Sequence, residues 1–432
     1  MKKNKQVFLI ENSGLCKAQI LHWSNQFDVC TFLDNHAYDS PYAALDCIAA
    51  VKPRSSISLD STDGQTLNHF IETHKGDWIF AHFNYEYHQI TPTSNKINYT
   101  GFPLGYLYVP EIIIQISKNE LTIESDALST SSIFDQIKNT LVPETMATTA
   151  QHEPVIISPV ISKEVYIQSV QQILKQIARG DFYEINFCQA FKIAQISANP
   201  VDMYQRLTSL SPTPFACFYK NGAAYLMCAS PERFLQKKDS QLLSQPIKGT
   251  IKRNLEDQAS DLLQMKALEN SSKDKSENVM VVDLVRNDLS KICEQGSVHV
   301  AELFGIYTYP QVHQMISTIK GTLKKNISFA QILEATFPMG SMTGAPKKKV
   351  METIEKMEPT SRGLYAGTVG YFNPTGNFDF NVVIRSIFYN SLTEHANYQV
   401  GGGITIYSDP EKEYEECLLK AEAIKKVLTI ID

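Results

Sequence analysis

Apolar residues recur along this chain with two different periods. Tyr166, Val170, Ile173, Leu174 and Ile177 fall at three- and four-residue steps, the spacing of one helical face. Ser162 precedes that run as a candidate cap and Gly180 closes it. A second helical stripe, Val350, Met351, Ile354 and Met357, follows Gly344-Ala345-Pro346, with proline at a first-turn position that needs no donor. A third passes through Tyr414, Leu418, Ala421, Ile424 and Leu428 and predicts one closing helix over 413–428. Shorter apolar runs at 78–85, 215–219, 223–228, 365–372, 382–388 and 398–407 read as strands. Asn221-Gly222 suits a two-residue hairpin turn, and Lys118-Asn119 joins the apolar runs 112–116 and 121–123 in the same way.

Residues 1–126 are β-rich. The stretch 127–160, with Ser129-Thr130-Ser131-Ser132, Pro143, Pro154 and Pro159, has the composition of a linker. The pattern therefore predicts an N-terminal β-rich part with its linker, 1–150, and a larger part, 155–432.

Composition narrows the class. Of 432 residues, 43% are hydrophobic and 20% charged, as in an ordinary globular protein large enough for a sizeable core. The net charge of −6 comes without a long basic run, which argues against nucleic acid as a partner. Eight cysteines without a C-x-x-C pair read as reduced thiols used as small hydrophobes. Only Val7-Phe8-Leu9-Ile10 follows the basic start, too short for a signal core or a membrane span. The expectation is a cytoplasmic protein with no membrane partner.

Few stretches carry chemistry. Lys248 in Gln245-Pro246-Ile247-Lys248-Gly249-Thr250 is a solvated turn lysine, a point charge for an anion, or, if desolvated, a neutral amine able to attack carbon. Pro231 presents Glu232 at a strand end, where catalytic groups often sit. Asp274 and Glu277, and again Glu413 and Glu416, lie three apart on helices. Each pair complements a helix N-terminus; both together, on one cleft, would make an oxygen site for Mg²⁺. Gly401-Gly402-Gly403 either permits a bulge or exposes backbone N–H groups to a ligand. Gly340–Lys347 fails as a phosphate loop because no Lys follows the second glycine. The ten histidines lack metal-ligand spacing, and no Ser-His-Asp or Cys-His set is present.

Together these motifs resemble the chorismate-utilising enzymes: anthranilate synthase component I, aminodeoxychorismate synthase component I, and isochorismate and salicylate synthases. The resemblance covers about 162–428. It is carried in order by Gly180-Asp181-Phe182-Tyr183-Glu184-Ile185-Asn186, Ser230-Pro231-Glu232-Arg233-Phe234, Pro246-Ile247-Lys248-Gly249-Thr250 and Lys273-Asp274-Lys275-Ser276-Glu277-Asn278. Asp283-Leu284-Val285-Arg286-Asn287-Asp288, Gly344-Ala345-Pro346-Lys347, Gly401-Gly402-Gly403-Ile404 and Glu413-Tyr414-Glu415-Glu416 complete it. Lys248 is similar to the lysine of the aminodeoxychorismate synthases, where anthranilate synthases carry Ala.

The resemblance implies an α+β fold with two large, mainly antiparallel sheets packed face to face, helices outside and the active site between them. It implies amination of chorismate at C4 with ammonia, for p-aminobenzoate and folate synthesis. Lys248, neutral through desolvation, would be the nucleophile and Glu232 the acid/base. Mg²⁺ would lie on Glu277 and Glu416, with Asp274 and Glu413 holding its waters. Gly249, Thr250, Tyr365, Arg385, Gly401, Gly402, Gly403 and Lys420 would bind substrate. Ammonia would come from a separate glutamine amidotransferase subunit or from free ammonium. Two positions depart from the family pattern: Glu184 stands where amine-transferring relatives have Gln, and Gln314 where several have His. Anthranilate synthase and a catalytically silent chorismate- or amino-acid-binding protein are the alternatives.

Overall fold

A computed structural model describes residues 4–38, 42, 45–88, 96–126, 128–143 and 155–429. The stretch 144–154, the middle of the expected linker, lies outside the described residues. The chain begins β1 (Asn4–Leu9), α1 (Ser13–Ser24), β2 (Val29–Asp34), β3 (Cys47–Leu59), α2 (Gly64–Thr73), β4 (Ile79–Phe83), β5 (Gly105–Ser117), β6 (Glu120–Ser125) and α3 (Thr130–Lys138). It continues β7 (Ile157–Pro159), α4 (Lys163–Ala178), β8 (Glu184–Ile193), α5 (Pro200–Leu210), β9 (Phe215–Asn221), β10 (Ala224–Ser230), β11 (Arg233–Lys238), β12 (Gln241–Gln245) and β13 (Ile247–Lys252). Then come α6 (Gln258–Asn270), α7 (Ser272–Ile292), β14 (His299–Thr308), β15 (Val312–Thr322), α8 (Phe329–Thr336), β16 (Gly344–Ala345) and α9 (Lys347–Met357). The chain closes with β17 (Thr368–Phe372), β18 (Phe378–Asn381), β19 (Ser386–Asn390), β20 (His395–Thr405), α10 (Pro410–Lys420) and α11 (Glu422–Thr429).

Local signals account for several of these elements. The Ser162 hydroxyl accepts from the Val165 N–H at the start of α4, satisfying a donor the helix leaves over. Tyr166, Val170, Ile173 and Ile177 are its buried face. The β9–β10 hairpin forms with Ala224 opposite Asn221, so its turn is Gly222-Ala223, one residue beyond the expected Asn221-Gly222, and β5 and β6 form the second expected hairpin.

The structure is α+β, with antiparallel pairing throughout the described ladders. The strands do not separate into two independent sheets: hydrogen bonds link all twenty into one network with two branches. One branch runs β6-β5-β3-β2-β9-β10-β19-β20-β8. The other leaves the first half of β5 through β4 and continues β17-β18-β11-β12-β15, with β13 and β14 also on β15. Strand β5 thus belongs to both walls. It pairs with β3 along its length, while β4 and β6 share its other edge. Helices α6 and α7 pack against β13 and β15, and α10 against β20 and α4.

Other expectations change. Part of the expected linker 127–160 is regular structure, α3 over Thr130–Lys138 and β7 over Ile157–Pro159. Residues 382–388 are not one strand: β18 ends at Asn381 and β19 begins at Ser386, with Arg385 between them at φ 51°. The closing helix is two, divided at Ala421. The three glycines make no bulge, because β20 pairs with β8 without a register shift from Ala396 to Thr405.

Candidate active site

The cleft between the two walls is defined by one ion pair. Lys248 projects from β13 on the second wall, and its Nζ contacts Oε1 of Glu184 at the start of β8 on the first. The lysine side chain is 11% exposed and that of Glu184 3%. Gly249, at φ 95°, makes the approach possible: a Cβ there would lie 3.0 Å from Asp274 Cβ and from Leu268 Cδ1. Glycine is the residue that takes this φ without strain, so β13 can lie directly against α6 and the first turn of α7.

Burial pulls the Lys248 ammonium toward the neutral form, but Glu184, Glu277 and Glu232 outweigh it and raise its pKa above the ordinary value. Desolvation alone would favour the amine; three carboxylates reverse the sign. The expectation of a neutral Lys248 is therefore corrected. In this structure it is an ammonium held by acids.

Glu232 follows Pro231 between β10 and β11 and is buried. Its N–H donates to Ser230 Oγ at 3.2 Å, and its carbonyl accepts from the Val382 N–H at 3.0 Å. These backbone bonds fix the side chain by the cleft. Burial pushes its carboxyl up to about 7, against the opposing pull of Ser341, Lys248 and Arg385. A carboxyl poised there can give or take a proton near neutral pH.

The two acidic pairs share the cleft. Glu277 on α7 and Glu416 on α10 both feel the charges of Lys248 and Lys273. Burial raises Glu277 to about 7 and also raises Glu413. For Glu416 burial is outweighed, chiefly by Lys420, and its pKa is lowered. Glu277 Oε1 is buried with no hydrogen-bond partner, and the Lys273 ammonium stands 3.9 Å away. Among the described residues no three His, Cys, Asp or Glu are placed to hold a metal by themselves. An orphaned, buried carboxylate oxygen that also feels the charges of Glu184 and Asp274 nevertheless fits Mg²⁺, which keeps waters and takes one or two protein carboxylates plus substrate oxygens. Asp274 lies against Gly249.

The glycine run passes beside the ion pair and beside the acidic pair of α10. A Cβ on Gly403 would lie 2.8 Å from Glu184 Oε1 and 2.9 Å from Lys248 Nζ; one on Gly402 would lie 3.2 Å from Glu413 Oε2. A Cβ on Gly401 would meet Cys188 Sγ at 2.4 Å. Strand alternation sends these contacts to opposite faces. Lys420 donates to Gly401 O at 3.0 Å and pairs with Glu416 at 2.7 Å. Tyr365 is buried, with Cys188 Sγ 3.9 Å from its hydroxyl. Burial lowers the pKa of Arg385, with Glu232 and Tyr309 opposing. Gln314 is buried on β15, its amide 3.4 Å from Thr250 Oγ1 and its Oε1 without a partner.

Two cleft residues were not singled out from sequence. Lys273 is four residues before Glu277, and the helical i,i+4 rule marks such a pair. Ser341, whose buried Oγ acts on the Glu232 carboxyl, lies in the loop considered only as a phosphate loop. A separate cavity of about 150 Å³, lined by Asn35, Pro214, Arg233 and Asp379, contains none of the residues proposed for chemistry.

The model of a family described as chorismate binding enzyme matches residues 28–426. The chain is 42% identical over 265 residues to the chloroplastic aminodeoxychorismate synthase of Arabidopsis thaliana, a match covering 61% of this chain and 28% of that protein. It is 36% identical over 268 residues to aminodeoxychorismate synthase component 1 of Escherichia coli, covering 62% and 58%. The chain thus spans less than two thirds of the length of these relatives. Its fold is similar to anthranilate synthase component I from Streptococcus pneumoniae, with TM-score 0.75, 24% identity, and 90% and 93% of the two chains covered. It is equally similar to the isochorismate synthase MenF of Escherichia coli, with TM-score 0.75, 18% identity, and 99% and 95% covered.

Proposed function

The chain belongs to the chorismate-binding enzymes, and from that premise we propose that it aminates chorismate at C4, as an aminodeoxychorismate synthase component I. The observation that carries this reading is Lys248, a lysine enclosed in the cleft among Glu184, Glu232 and Glu277. The names of the relatives at 36–42% identity agree with it.

Once deprotonated, the Lys248 amine forms a bond to ring C2 while the C4–O bond breaks and the ring double bonds shift. Glu232, protonated below about 7, gives its proton to the departing hydroxyl, which leaves as water. Ammonia then bonds to C4, the electrons return, and the C2–N bond to Lys248 breaks. The lysine is regenerated and the product is 4-amino-4-deoxychorismate. Gly402 and Gly403 present bare backbone beside the Glu413 carboxylate and the Lys248–Glu184 pair, while Thr250, Tyr365, Arg385 and Lys420 hold the carboxylates of the ring. Glu277 and Glu416, with Asp274 and Glu413 behind them, would hold Mg²⁺, which supplies Lewis-acid polarisation and charge neutralisation when bound. Ammonia would come from a glutamine amidotransferase subunit or from ammonium, and a lyase would complete p-aminobenzoate for folate.

Chorismate, ammonium and Mg²⁺ are expected to yield 4-amino-4-deoxychorismate by mass spectrometry, with pyruvate appearing only when a lyase is added. Prompt pyruvate with a fluorescent ortho-amino acid would favour anthranilate synthesis, and no turnover would favour a silent binding protein. A second expectation concerns pH. The Glu232 carboxyl is raised, so its acid form is present below about 7 and lost above it. The kcat–pH profile should fall on the alkaline side near that value, and Glu232→Gln should abolish the limb and lower kcat about a hundredfold or more.

A further inference from the structure

We propose that Glu184 is the proton acceptor for Lys248, taking its proton as the ring enters and returning it when the lysine is expelled. This deepens the amination reading and rests on it. The contact is built rather than incidental. Lys248 Nζ meets Glu184 Oε1 across the cleft, both side chains are nearly enclosed, and the pair sits where a Cβ on residue 403 would collide with it, 2.8 Å from Glu184 Oε1 and 2.9 Å from Lys248 Nζ. Glu184 is anchored from behind. Its backbone pairs with Thr405 of β20 on one edge and Ala345 of β16 on the other, so the carboxylate has a fixed origin.

An ammonium cannot attack carbon, and a carboxylate beside a dianion repels it. One transfer removes both obstacles. The Lys248 N–H bond breaks with its electron pair remaining on nitrogen, an O–H bond forms on Glu184, and the charge of the pair stays zero. Neutral Glu184 is then a hydrogen-bond donor at a position where an amide would donate. When the C2–N bond breaks, the amine leaves with the electron pair and recovers its proton from Glu184. The other acids facing Lys248 are less suited to accept its proton, because Glu232 is committed to the departing hydroxyl and Glu277 to the cation.

The test compares wild type, Glu184→Gln and Lys248→Ala with chorismate, ammonium and Mg²⁺ across pH 6–9, alongside labelling of residue 248 by an amine-acylating reagent read by peptide mass spectrometry. Glu184→Gln is isosteric, and its melting curve verifies folding. Its kcat should fall about tenfold or more near neutrality, with KM for chorismate unchanged or lower. Above pH 7 its kcat should fall less steeply than that of the wild type, because Lys248 must now lose its proton to solvent while Glu232 loses its acid form. Acylation of Lys248 should rise with pH across that range. A Glu184→Gln enzyme with wild-type kcat and an unchanged profile would overturn the inference while Lys248→Ala remains inactive. An active Lys248→Ala enzyme would instead overturn the lysine-adduct reading itself.

Discussion

Replacing Lys248 with alanine is expected to lower the rate of C4 amination at least about a thousandfold, or roughly 4 kcal/mol at ~1.4 kcal/mol per power of ten. The loss should appear in kcat, because the amine acts only after the substrate is bound. It should not be rescued by raising chorismate, whereas a binding role would show itself as a higher KM. The same change leaves the Glu184 carboxylate buried without its cation. Removing one partner of such a pair is destabilising, and removing both is far less so. Lys248→Ala should therefore melt below the wild type, and Lys248→Ala/Glu184→Gln should recover much of that loss while remaining inactive. Recovery of stability without recovery of rate separates the two roles of this lysine. A single variant that keeps wild-type kcat would end the covalent mechanism.

The second large effect is expected at Arg362, which touches no proposed substrate group. Its side chain is 1% exposed and paired with Glu358. The guanidinium donates to Glu358 at 2.6 and 2.9 Å, to Met342 O at 2.7 Å and to Asn186 O at 2.8 Å. It also lies 4.4 Å from the Tyr85 ring centre. Arg362→Ala removes the cation and strands a buried carboxylate, at a cost of about 3–5 kcal/mol. Met342 follows Ser341, and Asn186 is two residues from Glu184, so the floor under the proposed chemistry loosens as well. Urea denaturation should show a lower midpoint. Arg362→Lys should recover only part of it, since an ammonium cannot reproduce the planar, forked donor set. A midpoint within error of the wild type would refute this account.

Short-range features were readable in the chain itself. The Ser162 cap, the β9–β10 hairpin and the stripe on α4 depend on neighbours a few residues away, and the structure contains each of them, the hairpin turning one residue later than expected. Features set by distant contacts were not. No glycine or proline marks the division at Ala421, so the apolar stripe reads straight through it. Val382 and Val383 are as buried as any strand residues, and an apolar run alone does not separate a strand from buried irregular chain. The glycines at 401–403 read equally as bulge or open backbone; what decides is Cys188, Glu413 and the Lys248–Glu184 pair occupying the space where side chains would be. The protonation of Lys248 was hidden for the same reason. Its partner lies 64 positions away in sequence, and burial without that partner implies the opposite charge state.

Strand β5 binds both branches along its two edges, like the spine of a book whose pages are the opposing walls. No residue proposed for chemistry lies on it. Yet the gap between Lys248 on one page and Gly403 on the other is set by how far that spine opens. Substitutions at β5, or at the β4 seam beside it, can therefore alter which rings the cleft admits while every catalytic side chain stays the same.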